Sequence, residues 1–556
     1  MTMSPLWFRA CVPVYALWML ACGSDTNETG GAGGTGGGVT VAGVLSTLTT
    51  TVGDPSPKFA SDVSDYTLDV PLLTTWLEVV VTAPAGTTVT VEGAPVVNGH
   101  SARIELAAGS TKLAVVASAP GGKTTYSLEV RRGVGVVAYL KSLASHAGAE
   151  CGSAIGASGN TVALGCPRDG VTAAGPERGA VFLYSLGKDG WKFDQAVTAA
   201  TGADADRFGT SLALDGDTLV VGAPNRAQNQ GAAYVFTRDA TGTWAQVKQL
   251  KGSNSAPLDI FGSSVALAGD ILAVGAPGED GGSGGVNGPV TETAAGSGAV
   301  YVFARKDGVF TEEAYLKADA PAATDLFGSG VALFGERLAV SAPYQDTTAI
   351  DSGAVYLYER AAAVWAFTTR VKHPSPTASD AFGTSLSLGA DVLAVGAPGD
   401  DAASANPANN DAFDSGAVLV YERGADGSWP FASFIKSPTA TPGDQFGSTV
   451  SYASGLLASG SPREDGSGTG LNPAIDEATA SAGAVHTFRR TPTGWVFDAY
   501  LKASTAKEGA RFGSTLSFGG FGLAVGASYD NSNADGVDGD SSDTSAPSAG
   551  AAYMVR

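Results

Sequence analysis

Short apolar segments alternate with turns along most of this chain, in a pattern that recurs seven times. A typical copy begins with a Phe-Gly pair and reaches a Gly-Ala-Pro motif thirteen residues after the first glycine, although Ser341 replaces the motif glycine in the fourth copy. The period varies from 53 to 66 residues while this internal spacing stays constant, which predicts one structural unit repeated with loops of different lengths. The first glycines are Gly152, Gly209, Gly262, Gly328, Gly383, Gly447 and Gly513.

Each copy contains four short segments rich in Val, Leu, Tyr and Phe, separated by Gly, Pro and Asp. This pattern is typical of a four-stranded propeller blade. Alternation within the first two strands predicts a face of large side chains and a face of small ones. In the second copy, a turn centred on Asp215-Gly216 places Phe208 opposite Ala223 and Leu212 opposite Leu219.

The paired motifs, from about Val134 to Arg556, resemble the FG-GAP repeat of integrin alpha subunits and of many bacterial surface proteins. The resemblance implies a seven-bladed β-propeller over residues 134–556, with the Phe-Gly strand innermost in each blade. The first and last copies depart from the motif, since Cys151 replaces Phe and Ser528 replaces Pro. A strand at 136–141 precedes the copies and the chain stops after 550–556, so we expect these two segments to pair and close the ring.

Residues 41–132 have a separate pattern of alternating strands about every ten residues. This spacing predicts a small antiparallel β-sandwich. The segment ends on Tyr126, Leu128, Val130 and Arg132 at alternate positions and resembles the bacterial cadherin-like β-sandwich family. The resemblance implies a spacer or adhesion module, and the whole chain is therefore predicted to be all-β.

The first residues indicate export from the cytoplasm. Arg9 is the only charge before an apolar run that is too short to span a bilayer, so residues 1–21 are predicted to be a signal peptide. The run ends on Met19-Leu-Ala-Cys22, which resembles a bacterial lipoprotein signal and implies lipidation of Cys22. A Gly-rich linker follows to residue 40. The protein is then extracytoplasmic and lipid-anchored to the envelope, at the outer membrane or cell surface; secretion with unmodified Cys22 is the alternative.

The formal net charge of the chain is −21. Such an acidic surface argues against nucleic acid as a partner and against direct binding to anionic lipids, leaving the lipid anchor as the expected membrane contact. The apolar content of 44% is sufficient for a folded core.

Two of the four cysteines, Cys151 and Cys166, both fall in the first copy. They face each other across the hairpin if its turn is centred on Ser158-Gly159. A disulfide explains two rare residues at facing positions in an exported protein, and two separate buried thiols are the alternative.

The loops between the second and third strands are the variable parts of the copies, from six residues at 225–230 to twenty-one at 529–549. Variable loops on a constant framework are where binding residues concentrate. The same edge should carry five aspartates, each two residues before a Phe-Gly, which we expect to hold the preceding turn: Asp206, Asp259, Asp325, Asp380 and Asp444. The candidate ligand-binding residues of the loops are Asp280, Asp400, Asp401, Asp411, Asp414, Asp465 and Asp530.

One loop has oxygen ligands at alternating positions and a Gly for the bend, as a calcium loop does. Its candidate ligands are Asn531, Asn533, Asp535, Asp538 and Asp540, with a solvated acidic loop as the alternative. The calcium residues of the integrin-type repeat have no counterparts, because the stretch between the two motifs is only a tight turn. Calcium is therefore the one cofactor that the sequence raises.

Catalytic signatures are weak. The four histidines are scattered over the sandwich and separate copies, without the spacing of a metal or triad site. We predict a non-catalytic binding or adhesion protein whose partner is a protein or a glycan. The alternatives are a carbohydrate-active enzyme that uses an acidic pair such as Asp400 with Asp401, and a structural protein of the envelope.

Overall fold

A computed structural model describes residues 43–133, 135–170, 178–346 and 349–556. The predicted signal peptide, Cys22 and the linker up to residue 40 lie outside these residues. The described part is built of strands, apart from one helical turn, α1 (Arg226–Asn229). It includes no helix that is long and apolar enough to cross a membrane.

The N-terminal residues form a sandwich of two sheets. Alternate apolar residues such as Leu77, Val115 and Leu128 are buried between them. One sheet has the order β1-β3-β6, with β1 (Thr47–Thr50), β3 (Trp76–Thr82) and β6 (Ser101–Glu105). The other has the order β2-β8-β7-β4-β5, with β2 (Asp65–Val70), β8 (Gly122–Arg132), β7 (Gly109–Ala119), β4 (Thr88–Val91) and β5 (Ala94–Val96).

The prediction of a purely antiparallel sandwich is wrong at one pair of strands. Strands β2 and β8 are parallel, because the chain crosses to the other sheet at β3 before it returns. All other pairs in the sandwich are antiparallel.

The rest of the chain forms seven antiparallel sheets of four main strands. The first three are β10 (Ala154–Ser158), β11 (Thr161–Cys166), β12 (Ala180–Gly187), β13 (Gly190–Val197); β14 (Ser211–Asp215), β15 (Thr218–Ala223), β16 (Ala232–Arg238), β17 (Trp244–Leu250); and β18 (Ser264–Ala268), β19 (Ile271–Ala276), β21 (Ala299–Lys306), β22 (Val309–Lys317). The third sheet adds β20 (Gly285–Val286) beside β22.

The next three sheets repeat this order. They are β23 (Val331–Phe334), β24 (Arg337–Ala342), β25 (Ala354–Ala361), β26 (Val364–Val371); β27 (Ser385–Leu388), β28 (Val392–Ala397), β29 (Ala417–Glu422), β30 (Phe431–Ile435); and β31 (Thr449–Ala453), β32 (Leu456–Ser461), β34 (Ala484–Thr491), β35 (Gly494–Lys502). The sixth sheet adds β33 (Gly470–Leu471) beside β35.

The seventh sheet combines the two ends of this region. Its strands are β36 (Thr515–Gly519), β37 (Gly522–Ala527), β38 (Ala551–Val555) and β9 (Val136–Leu140). Tyr553 of β38 faces Tyr139 of β9, with the ring centroids 5.0 Å apart. The two segments expected to pair therefore do so.

The predicted register of the first hairpin is two residues off. Leu212 pairs with Val221 and not with Leu219, because the two turn residues are Gly216 and Asp217. The backbone at the first turn position has φ +55°, a conformation that glycine adopts without strain. A shift of two residues preserves the faces, and the large side chains Leu214, Leu219 and Val221 share one cluster as expected.

Neighbouring sheets contact each other through their first strands, in the order β10, β14, β18, β23, β27, β31, β36 and again β10. Hydroxyl groups two residues after the Phe-Gly glycine join five of the seven neighbouring pairs. Each donates to the carbonyl of the corresponding glycine in the next sheet, as Ser211 does to Gly262 at 2.8 Å. The others are Ser264, Ser385, Thr449 and Thr515, the last of which bonds Gly152 of the first sheet at 2.7 Å.

A buried ion pair joins the sandwich to the sixth sheet. The Arg132 guanidinium donates to both carboxylate oxygens of Asp498, at 2.8 and 2.9 Å, and neither side chain is exposed. Arg132 also donates from Nε to the carbonyl of Leu72, whose side chain is buried against the sixth and seventh sheets. The two parts of the chain thus share a packed junction.

Candidate binding face

The loops between second and third strands lie beside the turns that precede Phe-Gly in the following sheet. The Gly443 N–H donates to the carbonyl of Phe413, and the Ser379 N–H to that of Ile350. We call these loops and turns of the seven sheets the loop face. It gathers the most variable segments of the repeats at one edge.

The five aspartates before Phe-Gly hold their turns as predicted. Each carboxylate accepts the backbone N–H of the residue three positions earlier, as Asp380 does from Thr377 at 2.6 Å. The other bonds, to Asp206, Asp259, Asp325 and Asp444, measure 2.6 to 3.0 Å. Burial raises the pKa of Asp259 to about 6 against the opposing hydrogen bond from Ala256.

A buried acid lies at the base of five loops, four residues after the first residue of the Gly-Ala-Pro motif: Asp169, Glu279, Asp400, Glu464 and Asp530. In the third sheet Glu279 accepts from Lys317, the last residue of β22, at 2.5 Å. Lys502 pairs with Glu464 at 2.5 Å in the sixth sheet, and Lys436 with Asp400 at 3.3 Å in the fifth. A lysine at the end of the fourth strand, or directly after it as Lys436 is, therefore holds the loop of its own sheet.

The seventh sheet varies this arrangement. Asp530 accepts from Lys507 at 3.0 Å and from the hydroxyls of Tyr139 and Tyr553 at 2.8 and 3.0 Å. Lys141 lies 3.7 Å away, and burial lowers its pKa to about 8 although Asp530 acts in the opposite direction. Burial likewise lowers the pKa values of the other three strand-end lysines, against the charges of their acid partners.

In three loops, the aspartate that directly follows the buried acid accepts a hydrogen bond from the far end of the same loop. The Asp401 carboxylate accepts the N–H of Asp414 at 2.8 Å, Asp280 that of Gly296 at 2.8 Å, and Asp465 that of Ser481 at 2.7 Å. In each case the donor precedes the third strand by the same number of residues. These carboxylates therefore shape the loops from within.

The candidate ligand-binding aspartates divide into three groups. Asp400 and Asp530 are buried in ion pairs, so Asp400 does not form an open acidic pair with Asp401. Asp280, Asp401 and Asp465 accept backbone N–H groups across their loops. Asp411 is exposed and Asp414 half-buried. A ligand role for these residues stays a prediction.

The candidate calcium ligands serve separate backbone groups. Asp535 accepts from the N–H of Ser145, Asp538 from that of Tyr139, and Asp540 from that of Ser542. Asn531 accepts from the Ser548 N–H, and the Asn533 N–H donates to Asp543. The hydrogen bonds of these five residues therefore show them shaping the loop, and calcium binding by them stays a prediction.

Two groups of three ligand-type side chains converge within the described residues. In the first, Cys151 and Cys166 form the predicted disulfide, so their thiols are not available to a metal ion beside Asp169. In the second, His373 Nε2 lies 3.3 Å from Asp400, and Asp380 lies 3.9 Å from Nδ1. Lys436 already supplies the positive charge beside Asp400.

Large apolar side chains project from the loop face, and this feature was missed by the sequence analysis. Phe413 is 69% exposed, Ile350 68% and Ile475 62%. Further exposed members are Leu258, Val290, Tyr344 and Tyr529. The available signal was one or two large apolar residues within most of the polar loops, such as Phe413 in one loop and Tyr344 with Ile350 in another. Alternation does not detect them because such loops have no period.

Comparison with protein families defines the class of each part. Residues 191–236, 244–303, 310–358 and 365–421 match the FG-GAP repeat, and residues 45–133 match the cadherin-like beta sandwich domain. The chain therefore contains four FG-GAP repeats and one cadherin-like β-sandwich domain. The search of curated proteins gives no match.

Proposed function

We propose that residues 135–556 form a closed seven-bladed propeller. The cyclic contacts among first strands, the β9–β38 pair and the Thr515 hydrogen bond to Gly152 support this arrangement. A closed ring leaves no terminal sheet with an open edge. Each matched repeat would then supply the fourth strand of one blade and the first three strands of the next.

We further propose that the loop face binds a protein partner in adhesion or envelope organisation. The observation that carries this proposal is the combination of fixed loop bases and exposed apolar tips. Glu279 with Lys317 and Glu464 with Lys502 hold two loops from below, while Val290 and Ile475 project from the same loops. Preorganised apolar groups lose little conformational entropy on binding, and large apolar side chains dominate protein interfaces.

The charge of the face favours a basic partner surface. Exposed carboxylates such as Asp411, Glu477 and Asp540 lie among the apolar tips, and the whole chain has a net charge of −21. Complementary charge accelerates association and excludes acidic partners. A partner with a basic rim around an apolar centre fits this surface.

The N-terminal sequence supports a location of this binding module outside the cytoplasm. We propose that Cys22 is lipidated and that the linker tethers the sandwich and the ring to the envelope. Metabolic labelling with a palmitate analogue should mark the wild type and not Cys22→Ser. Equal labelling of both proteins would contradict the proposal.

Site-directed photocrosslinking on the producing cells tests the loop face. A photoreactive phenylalanine analogue at Phe413 or Ile475 should crosslink a discrete partner protein. The matched control is Phe334, which is 43% exposed and lies in the β23–β24 hairpin, away from the loops. Equal crosslinking at Phe334, or none at the two loop positions, would refute the proposal.

A further inference from the structure

A cavity of about 330 Å³ lies where the sandwich meets the first and seventh sheets. Asp69 and Arg131 contribute from the sandwich, Trp191 from the first sheet and Phe521 from the seventh. Its volume is at the small end of the range for ligand pockets, about 300 to 1,000 Å³. The sandwich and two of the seven sheets thus line one space.

Trp191 differs from its counterparts in the second, third and fourth sheets, while Trp495 of the sixth sheet is half-buried as Trp191 is. Trp244, Phe310 and Trp365, which also open the fourth strand, are each 3% exposed, whereas Trp191 is half-buried and lines the cavity. Phe521 supports it edge-on, with ring centroids 4.8 Å apart and planes at 87°. The pair forms an aromatic wall held in a fixed orientation.

The polar lining contains both donors and acceptors. The guanidinium groups of Arg131 and Arg556 can only donate hydrogen bonds, while the carboxylates of Asp69 and Asp538 can only accept them. The Arg131 Nε lies 2.8 Å from Asp69. An anionic ligand would face two carboxylates here, and a cationic ligand would face two guanidinium groups.

A cyclic ligand with several hydroxyl groups can bond to both the donors and the acceptors of the cavity, because each hydroxyl group donates and accepts. Its apolar C–H face can pack on the indole of Trp191. We propose that this junction cavity binds a neutral sugar unit, one or two residues long, as a site distinct from the loop face. Binding there would connect the sandwich to the ring through the ligand.

Calorimetric titration of the purified protein tests this site with a panel of neutral sugars: glucose, galactose, mannose, N-acetylglucosamine, cellobiose and lactose. Glucuronate and glucosamine serve as the charged comparisons. At least one neutral sugar should bind saturably, and more tightly than either charged sugar. Absence of binding by every neutral sugar at about 10 mM, or tighter binding of a charged one, would overturn the proposal.

Variants locate the site. Trp191→Ala and Asp69→Asn should each weaken binding at least tenfold, and the Asp69 change does not disturb folding because its side chain is 66% exposed. The matched control is Trp76→Ala, at an exposed tryptophan on the other sheet of the sandwich. Unchanged binding in Asp69→Asn, or equal loss in Trp76→Ala, would place the sugar elsewhere and refute the site.

Discussion

Replacing Lys317 with methionine removes the cation at the base of the third loop. Lys317 Nζ donates to Glu279 at 2.5 Å and to the Ser297 hydroxyl at 2.7 Å. Methionine keeps most of the apolar stem but leaves Glu279, which is 1% exposed, without its cation. The N–H of Gly281 and the hydroxyl of Tyr315 still donate to that carboxylate.

Removing one partner of a buried ion pair typically destabilises a protein by about 3 to 5 kcal/mol. The surviving hydrogen bonds to Glu279 should place Lys317→Met toward the lower end, at about 3 kcal/mol. The double variant Glu279→Gln/Lys317→Met removes both charges together and should recover most of this loss. The destabilisation of the double variant should therefore be much smaller than the sum of the two single-variant destabilisations.

Urea unfolding followed by tryptophan fluorescence measures these differences, and hydrogen exchange over residues 279–298 reports the loop itself. The matched control is Lys192→Met, at a lysine that is 68% exposed and 3.0 Å from Asp194. That surface pair contributes about 0 to 1 kcal/mol. Equal unfolding midpoints for Lys317→Met and Lys192→Met would refute the role of the buried pair in fixing the loop.

Three further changes test other parts of the structure. Reduction of the Cys151–Cys166 disulfide, which closes a loop with a separation of 15 residues, should destabilise the protein by about 2 to 4 kcal/mol; equal urea midpoints before and after reduction would contradict this. Because burial raises the folded-state pKa of Asp259 from 3.8 to about 6, its contribution to stability should fall as pH rises through that window. Thermal melts of Asp259→Asn should lack this part of the pH dependence, and an unchanged profile would be the contrary result. Thr515→Val should cost about 1 kcal/mol by removing the bond to Gly152, measured as a lower urea midpoint, and an unaltered midpoint would argue against that inter-sheet contact.

The repeat could be predicted from the sequence because glycines mark positions where the backbone leaves no space. A Cβ on Gly222 would lie 2.0 Å from the carbonyl oxygen of Gly262, so a glycine at this position permits the close approach of the neighbouring sheet. The disulfide was predictable for a related reason, since two cysteines replaced motif positions in one copy. Both inferences rest on local geometry that recurs.

The roles of the acidic loop residues could not be predicted in the same way. Asp400 and Asp401 are adjacent in sequence, yet one is buried beside Lys436 and the other accepts a backbone N–H across the loop. The two aspartates differ in role because the end of the fourth strand brings Lys436 beside one of them, and sequence position alone does not indicate which one. The exposure of Phe413 likewise depends on the path of a loop without periodic structure.

The ring closure is tested most directly by hydrogen exchange of β9 and β38 in the intact protein. If Val136–Leu140 and Ala551–Val555 complete one sheet, their amides should exchange as slowly as those of the central strands β16 and β21. An unpaired first strand and a free chain terminus would instead exchange rapidly. Slow exchange at both segments is the predicted result, and rapid exchange at either would contradict the closed ring.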